Sequence, residues 1–100
     1  MQIKSIEVIA MKVKLFAYLR DYTGVKEIEV GHCRTVRQLL KELCGIFGKK
    51  FAREVFDGEN LSGRVIVLVN GMNILHLENL DTELKEDDEI SLFPVVAGGR

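Results

Sequence analysis

VKEIEVGHCRTVRQLLKELCGIF, residues 25–47, changes its period part-way along. Up to Val30 the apolar positions Ile28 and Val30 alternate with Glu27 and Glu29, the period of a half-buried strand. From Val36 they recur as Val36, Leu39, Leu40, Leu43 and Phe47, the stripe of an amphipathic helix. Thr35 stands at the N-cap, and Gln38, three residues on, completes a capping box. Gly48 suits the stop, with Lys49 and Lys50 near the negative end of the helix dipole. Gly45 costs about 1 kcal/mol relative to alanine, so fraying is expected from there. A strand over 27–31 is therefore followed at once by a helix over 35–47. That helix needs a sheet to cover.

The flanking segments supply the sheet. KVKLFAYL opens with Val13 and Leu15 on one face and Lys12 and Lys14 on the other, which predicts a strand over residues 12–19. RDYTG, broken by Gly24, then gives room for a short turn or helical bend before the strand at 27–31, so the two strands read as an antiparallel hairpin. Beyond the helix, Phe51, Val55 and Phe56 fit a short helix, and DGENLSG reads as a loop. RVIVLVNG carries a strand over 65–69, apolar on both faces, as suits a central position. Asn70-Gly71 is a type I′ turn signal, so MNILHL is expected to fold back as a short strand. ENLDTELKEDDE is polar and turn-like, and EISLFP gives the final strand over 89–93. Strand, strand, helix, strand, short strand, strand, with a right-handed crossover, is an α+β ubiquitin-like β-grasp. Its mixed sheet has four to five strands, with one main helix across one face. Its last strand lies centrally.

Composition excludes several classes. One hundred residues, 47% hydrophobic and 29% charged, fit one soluble domain with its own core. A net charge of −1 without a basic block gives no footprint for nucleic acid. No apolar run approaches the roughly 20 residues of a membrane span, and residues 1–10 make a poor signal peptide. The expected location is cytoplasmic. Cys33 and Cys44 form no C-x-x-C pair and read as structural thiols, Cys44 as a small core filler. His32 and His76 are isolated surface residues without metal-ligand spacing. No triad, P-loop or dinucleotide fingerprint is present.

The remaining chemistry lies in the tail, FPVVAGGR, residues 93–100. Pro94 closes the last strand, and Gly98 and Gly99 leave the tip almost without side-chain bulk. Residues 95–100 read as a flexible Gly-Gly arm on a body spanning 11–94, with 1–10 an N-terminal extension or an extra strand and Met11 an alternative initiator. From Val95 to Gly99 the extended arm reaches about 17 Å.

KLFAYLRDYTG and LKEDDEISLFPVVAGG together resemble the two ends of the small subunit of molybdopterin synthase, in the family of MoaD and ThiS sulfur carriers. Its usual patterns are LFA-x-LR-(D/E)-x-x-G and L-x-(D/E)-G-D-E-V-x-x-(F/I)-P-P-V-(A/S)-G-G, with VNG after an apolar strand between them. The likeness runs over Met11–Gly99. Three positions depart from it: Asp87 replaces a turn glycine, Val95 replaces a second proline, and Arg100 follows the glycine pair.

The resemblance implies a carrier with no active site of its own. A ubiquitin-activating-type adenylyltransferase uses ATP to convert the Gly99 carboxylate to an acyl-adenylate. A sulfur donor turns it into a thiocarboxylate, and the large synthase subunit takes the arm and moves sulfur to a pterin precursor. No cofactor is expected to be bound, and the expected partners exclude nucleic acid and membranes. Glycine at the acylated position has no Cβ to block attack, and Gly98 beside it tolerates backbone angles closed to other residues. Phe93, Pro94, Val95, Val96 and Ala97 are the expected partner contacts. Phe93 is the shared anchor or, alternatively, plain core. Arg100 blocks a glycine carboxylate, so its removal is expected. The same fold and tail also fit a carrier for the thiamin thiazole and a ubiquitin-like protein modifier.

Overall fold

The computed structural model describes residues 10–95. Strand β1 (Ala10–Leu15) is followed by helix α1 (Leu19–Thr23), β2 (Glu27–Gly31), α2 (Val36–Phe47), α3 (Lys49–Val55) and the two-residue strands β3 (Phe56–Asp57) and β4 (Asn60–Leu61). Then come β5 (Val65–Val69), β6 (Met72–Asn73), two short 3-10 turns, and β7 (Glu89–Pro94). The main sheet has the order β2-β1-β7-β5-β6. β1 pairs antiparallel with β2 and parallel with β7, and β7 pairs antiparallel with β5. The mixed five-stranded β-grasp with a central last strand is the architecture expected from the sequence.

Alternation fixes the register. Along β7, Ile90, Leu92 and Pro94 are buried, while Glu89, Ser91 and Phe93 between them are half-buried. Val65, Val67 and Val69 point inward from β5, as Met11, Val13 and Leu15 do from β1. These residues form one core cluster with Val36, Leu39, Leu40 and Leu43 of α2, and with Phe51 and Val55 of α3. Slipping any strand by one residue exposes its whole inward set, so the pattern specifies the pairing strongly.

Pro94 fits its strand for a reason visible in the ladder. The bonds from Phe16 N–H to Leu92 O and from Val95 N–H to Arg64 O place residue 94 facing β1, just past the end of that strand. An N–H there would be aimed at the Phe16 carbonyl. Proline has none, and that carbonyl accepts from Leu19 as the chain turns into α1.

The capping expected at Thr35 is present in altered form. Thr35 Oγ1 accepts from Gln38 N–H at 3.2 Å, but Gln38 Oε1 accepts from Arg34 N–H at 2.8 Å rather than from the cap residue itself. The helix runs unbroken through Gly45, contrary to the expected fraying, because Leu39, Leu40 and Leu43 before it and Phe47 after it tie both sides to the core. Gly48 stops it at φ 96°, a backbone angle that glycine adopts freely. Lys49 and Lys50 directly follow that C-terminus and open α3.

Three boundaries differ from expectation. The strand predicted over 12–19 ends at Leu15. Ala17 takes φ 53°, and Leu19, four residues after Leu15, is fully buried from α1, so the apolar run LFAYL turns a corner. The segment read as a loop at 57–63 contains the β3–β4 hairpin, turned at Gly58 with φ 64°. Asn70 and Gly71 make the type I′ turn, with φ 51° and 86°, but the returning strand lasts only two residues. Asn73 Oδ1 then accepts from Leu75 N–H at 2.9 Å and draws the chain into a 3-10 turn.

Candidate functional site

The sheet face opposite α2 divides into two halves. Lys12 and Lys14 of β1 lie between Glu27 and Glu29 of β2 on one side and Glu89 of β7 on the other. Lys14 Nζ meets Glu89 at 3.1 Å, and Lys12 Nζ meets Glu27 at 3.8 Å. Toward the C-terminal end of β7 the face turns apolar. Phe93 lies opposite Ile66 across the β5–β7 ladder, and Leu68 is the next outward residue on β5. Phe16, just past β1, stacks on Phe93 with ring centres 4.2 Å apart and planes 6° from parallel. All four side chains are half-buried. Side chains from three chain segments thus make an apolar surface at the point where the chain leaves the sheet.

Arg20 borders this surface. Its Nε donates to Leu15 O at 2.9 Å, and its guanidinium carbon lies 5.6 Å from the centre of the Phe16 ring. Beside the corner, the Tyr18 hydroxyl donates to Glu54 Oε2 at 2.9 Å. That bond to a carboxylate, with lesser help from desolvation, raises the Tyr18 phenol above its ordinary value. Arg64 donates to Asp57 Oδ1 at 2.8 Å and to the Arg53 carbonyl.

The expected site residues divide accordingly. Phe93 sits on the open face and is not core. Pro94 is buried on the opposite side, so its ring faces the helix layer and not a partner on the open face. Val95 is 39% exposed, and its N–H still pairs with Arg64 O at 2.8 Å, so the sheet reaches one residue into the segment expected to be an arm. Val96, Ala97, Gly98, Gly99 and Arg100 lie outside the described residues, as do residues 1–9 of the expected N-terminal extension. Phe16, Ile66 and Leu68 were not singled out from sequence. The signal for Ile66 and Leu68 was the two-faced apolar run of β5, read there only as centrality.

Both thiols sit in apolar surroundings. Burial raises the Cys33 and Cys44 pKa values, which keeps them protonated and poor nucleophiles. His32 and His76 are exposed, as expected. Among the described residues no three His, Cys, Asp or Glu side chains group as metal ligands, and no helix is long and apolar enough to cross a membrane.

Comparison with known proteins agrees with this geometry. A model of the ThiS family matches residues 13–99. A candidate sulfur carrier protein of Archaeoglobus fulgidus is 38% identical over 90 residues, 90% of this chain and 99% of that protein. The solution structure of small archaeal modifier protein 1 from Methanosarcina acetivorans superposes with a TM-score of 0.79 at 35% identity, covering 93% of this chain and 99% of that one. A candidate molybdopterin converting factor subunit 1 from Pyrococcus furiosus gives 0.69 at 34% identity, over 87% and 98% of the chains. CysO, crystallised in complex with BexX of Amycolatopsis orientalis, gives 0.79 at 28% identity, over 90% and 100%.

Proposed function

The chain belongs to the ThiS family of ubiquitin-like sulfur carriers, and from that premise we propose that it supplies the sulfur of molybdopterin as a thiocarboxylate on Gly99. The Gly99 carboxylate attacks the α-phosphorus of ATP in a partner adenylyltransferase, and pyrophosphate leaves. Sulfur from a donor at the sulfide level attacks the acyl carbon and AMP leaves, carrying off one carboxylate oxygen. The large synthase subunit then receives the arm and takes the sulfur onto the pterin precursor. The groups that activate and transfer belong to those enzymes. This chain brings an acceptor carboxylate and a body that docks.

The observation that carries the docking role is the Phe16–Phe93 stack with Ile66, set where β7 leaves the sheet. A partner that covers this surface holds the start of the arm at the same time. The likeness to the Pyrococcus protein and the proline of FPVVAGG favour molybdopterin over the thiamin thiazole.

The chemistry requires Gly99 to hold the free carboxylate, so the Gly99–Arg100 bond must be hydrolysed first. An arginine side chain is long, always charged and strongly hydrated, ill-suited to a channel shaped for two glycines. The test compares chains ending at Gly99 and at Arg100. Each is mixed with the adenylating enzyme, ATP and a sulfur donor, and its intact mass is measured. The Gly99 form is expected to gain the mass difference of sulfur over oxygen, and the Arg100 form to stay unchanged. Equal gain by an intact Arg100 form refutes the processing step. Gain by neither refutes the carrier reading.

A second reading has its own support in the 35% identity to small archaeal modifier protein 1. The same acyl-adenylate, attacked by a lysine amine in place of sulfur, gives an isopeptide. A ladder of conjugates on a blot for this chain, lost when Gly99 is removed, establishes that use.

A further inference from the structure

The corner between β1 and α1 contains a charged residue that the docking reading leaves without a role. Arg20 is exposed, and no side-chain carboxylate pairs with it among the described residues. Its guanidinium is nevertheless fixed. Nε donates to the carbonyl of Leu15, the last residue of β1, and the guanidinium carbon lies 5.6 Å from the Phe16 ring centre. Phe16 in turn stacks on Phe93. Arg20, Phe16 and Phe93 therefore touch in sequence, from α1 across the end of β1 to the C-terminal end of β7.

We infer that Arg20 is a positioning residue for the docking surface: it holds Phe16, and through Phe16 the Phe93 ring, in the orientation a partner enzyme meets. Without it, the Phe16 ring is held only by its stack on Phe93, at a corner fixed by backbone bonds and the burial of Leu19. Ala17 takes φ 53°, a region few alanines occupy, so the backbone there is under strain and not held by preference. Leu15 O anchors one edge of the guanidinium while its π-face interaction restrains the ring. Lysine cannot reproduce this, because it keeps the charge but lacks both the Nε donor and the planar face. Pre-orienting a half-buried surface aromatic lowers the entropy lost on association, which is how a residue that need not touch the partner affects affinity.

This inference rests on the docking reading, and its test separates the two. The full chain is compared with R20K, R20Q, F16L and the F16L/R20Q double variant. The first measurement needs no partner. In the full chain the stacked rings shield each other, so the Phe16 and Phe93 ring protons are displaced in the NMR spectrum. Both Arg20 variants are expected to lose much of that displacement with the rest of the spectrum unchanged, and unaltered ring signals overturn the inference. The second measurement uses the same variants in chains ending at Gly99, the form the proposed function requires, and is adenylation by the partner enzyme, read as pyrophosphate exchange. R20K and R20Q are each expected to raise KM for the carrier roughly fivefold with kcat held, and R20Q to add nothing in the F16L background. Additive effects show that Arg20 contacts the enzyme directly, and KM unchanged in R20K shows that charge alone suffices. Either result overturns the positioning role. If F93A also leaves KM unchanged, the docking reading itself fails, whatever the ring spectra show.

Discussion

Phe93 was ambiguous in the sequence because a phenylalanine before a strand-ending proline serves equally as core or contact. Its phase decides: Ile90, Leu92 and Pro94 take the inward positions, so Phe93 must face out. A fully buried phenylalanine costs about 3–5 kcal/mol when truncated to alanine. Phe93 is half-buried, so Phe93→Ala is expected to cost the fold clearly less than that. Loss of affinity for the partner is expected to be about 2 kcal/mol or more, the range of interface hot spots. Melting temperature and a binding isotherm on the same protein check both parts, and normal binding by a destabilised fold returns Phe93 to the core. Tyr18 permits a second test. Its phenol pKa is raised, chiefly by donation to Glu54, so the hydrogen bond contributes in full below the unfolded value of about 10 and is lost as pH rises through the folded value. Tyr18 is 37% exposed, so the effect is small. Tyr18→Phe is expected to flatten the alkaline loss of stability while leaving neutral-pH stability nearly unchanged. An unaltered alkaline slope in urea unfolding assigns that loss to other groups.

At the scale of elements, long periodic segments were legible and corners were not. The strand at 27–31 and the helix over 35–47 carry one period each over enough residues to leave no competing assignment. LFAYL satisfies both periods: its residues alternate about Ala17 as in a strand, yet Leu15 and Leu19 are one helical turn apart. Only the need to bury Leu19 under α3 selects the corner, and that is tertiary information. The two motifs nearest the far end of the sheet prove to be parts of one clasp. Asn70 Nδ2 donates to Asp88 Oδ1 at 2.7 Å, Asn70 Oδ1 accepts from Glu89 N–H at 2.9 Å, and Asp88 Oδ2 accepts from Lys85 N–H at 2.7 Å. VNG and KEDDE thus hold each other's turns and set the start of β7. Neither motif alone shows this, because the partners are 18 residues apart. Breaking the clasp with Asp88→Ala is expected to cost about 1–2 kcal/mol, since two charge-assisted bonds go at once. In a double-mutant cycle with Asn70→Ser the losses are expected to be less than additive, because the two residues share one network. Additive losses from chemical denaturation place the two turns in separate units.

On the scale of the whole molecule, the described body ends at a definable bond. Among the described residues, Val95 N–H to Arg64 O is the last rung between β7 and β5, and Pro94 is the last residue of the core layer. The sequence placed this boundary at residues 94 and 95 because Pro94 cannot continue a central strand. β7 ends at Pro94, and one further bond to β5 follows at Val95, since proline leaves the β5 side of its strand intact and interrupts only the side where β1 has already ended. The apolar surface proposed for docking was far less legible. Phe16, Ile66 and Phe93 are separated by tens of residues, and only the parallel β1–β7 pairing and the β5–β7 register bring them together. Two truncations test the division. A chain ending at Val95 keeps every rung and every core residue described, so its melting temperature is expected to stay within about 3 °C of the full chain, less than 1 kcal/mol at this length. It is expected to compete with the chain ending at Gly99 for the adenylating enzyme while accepting no sulfur itself, because the proposed docking surface lies in the body and the acceptor carboxylate in the arm. A chain ending at Phe93 loses the Pro94 packing and the last rung together and is expected to melt well below both. If the Val95 form melts as low as the Phe93 form, residues beyond the last rung contribute to the core. If it folds normally but fails to compete, recognition resides in the arm and not in the Phe16–Phe93 surface.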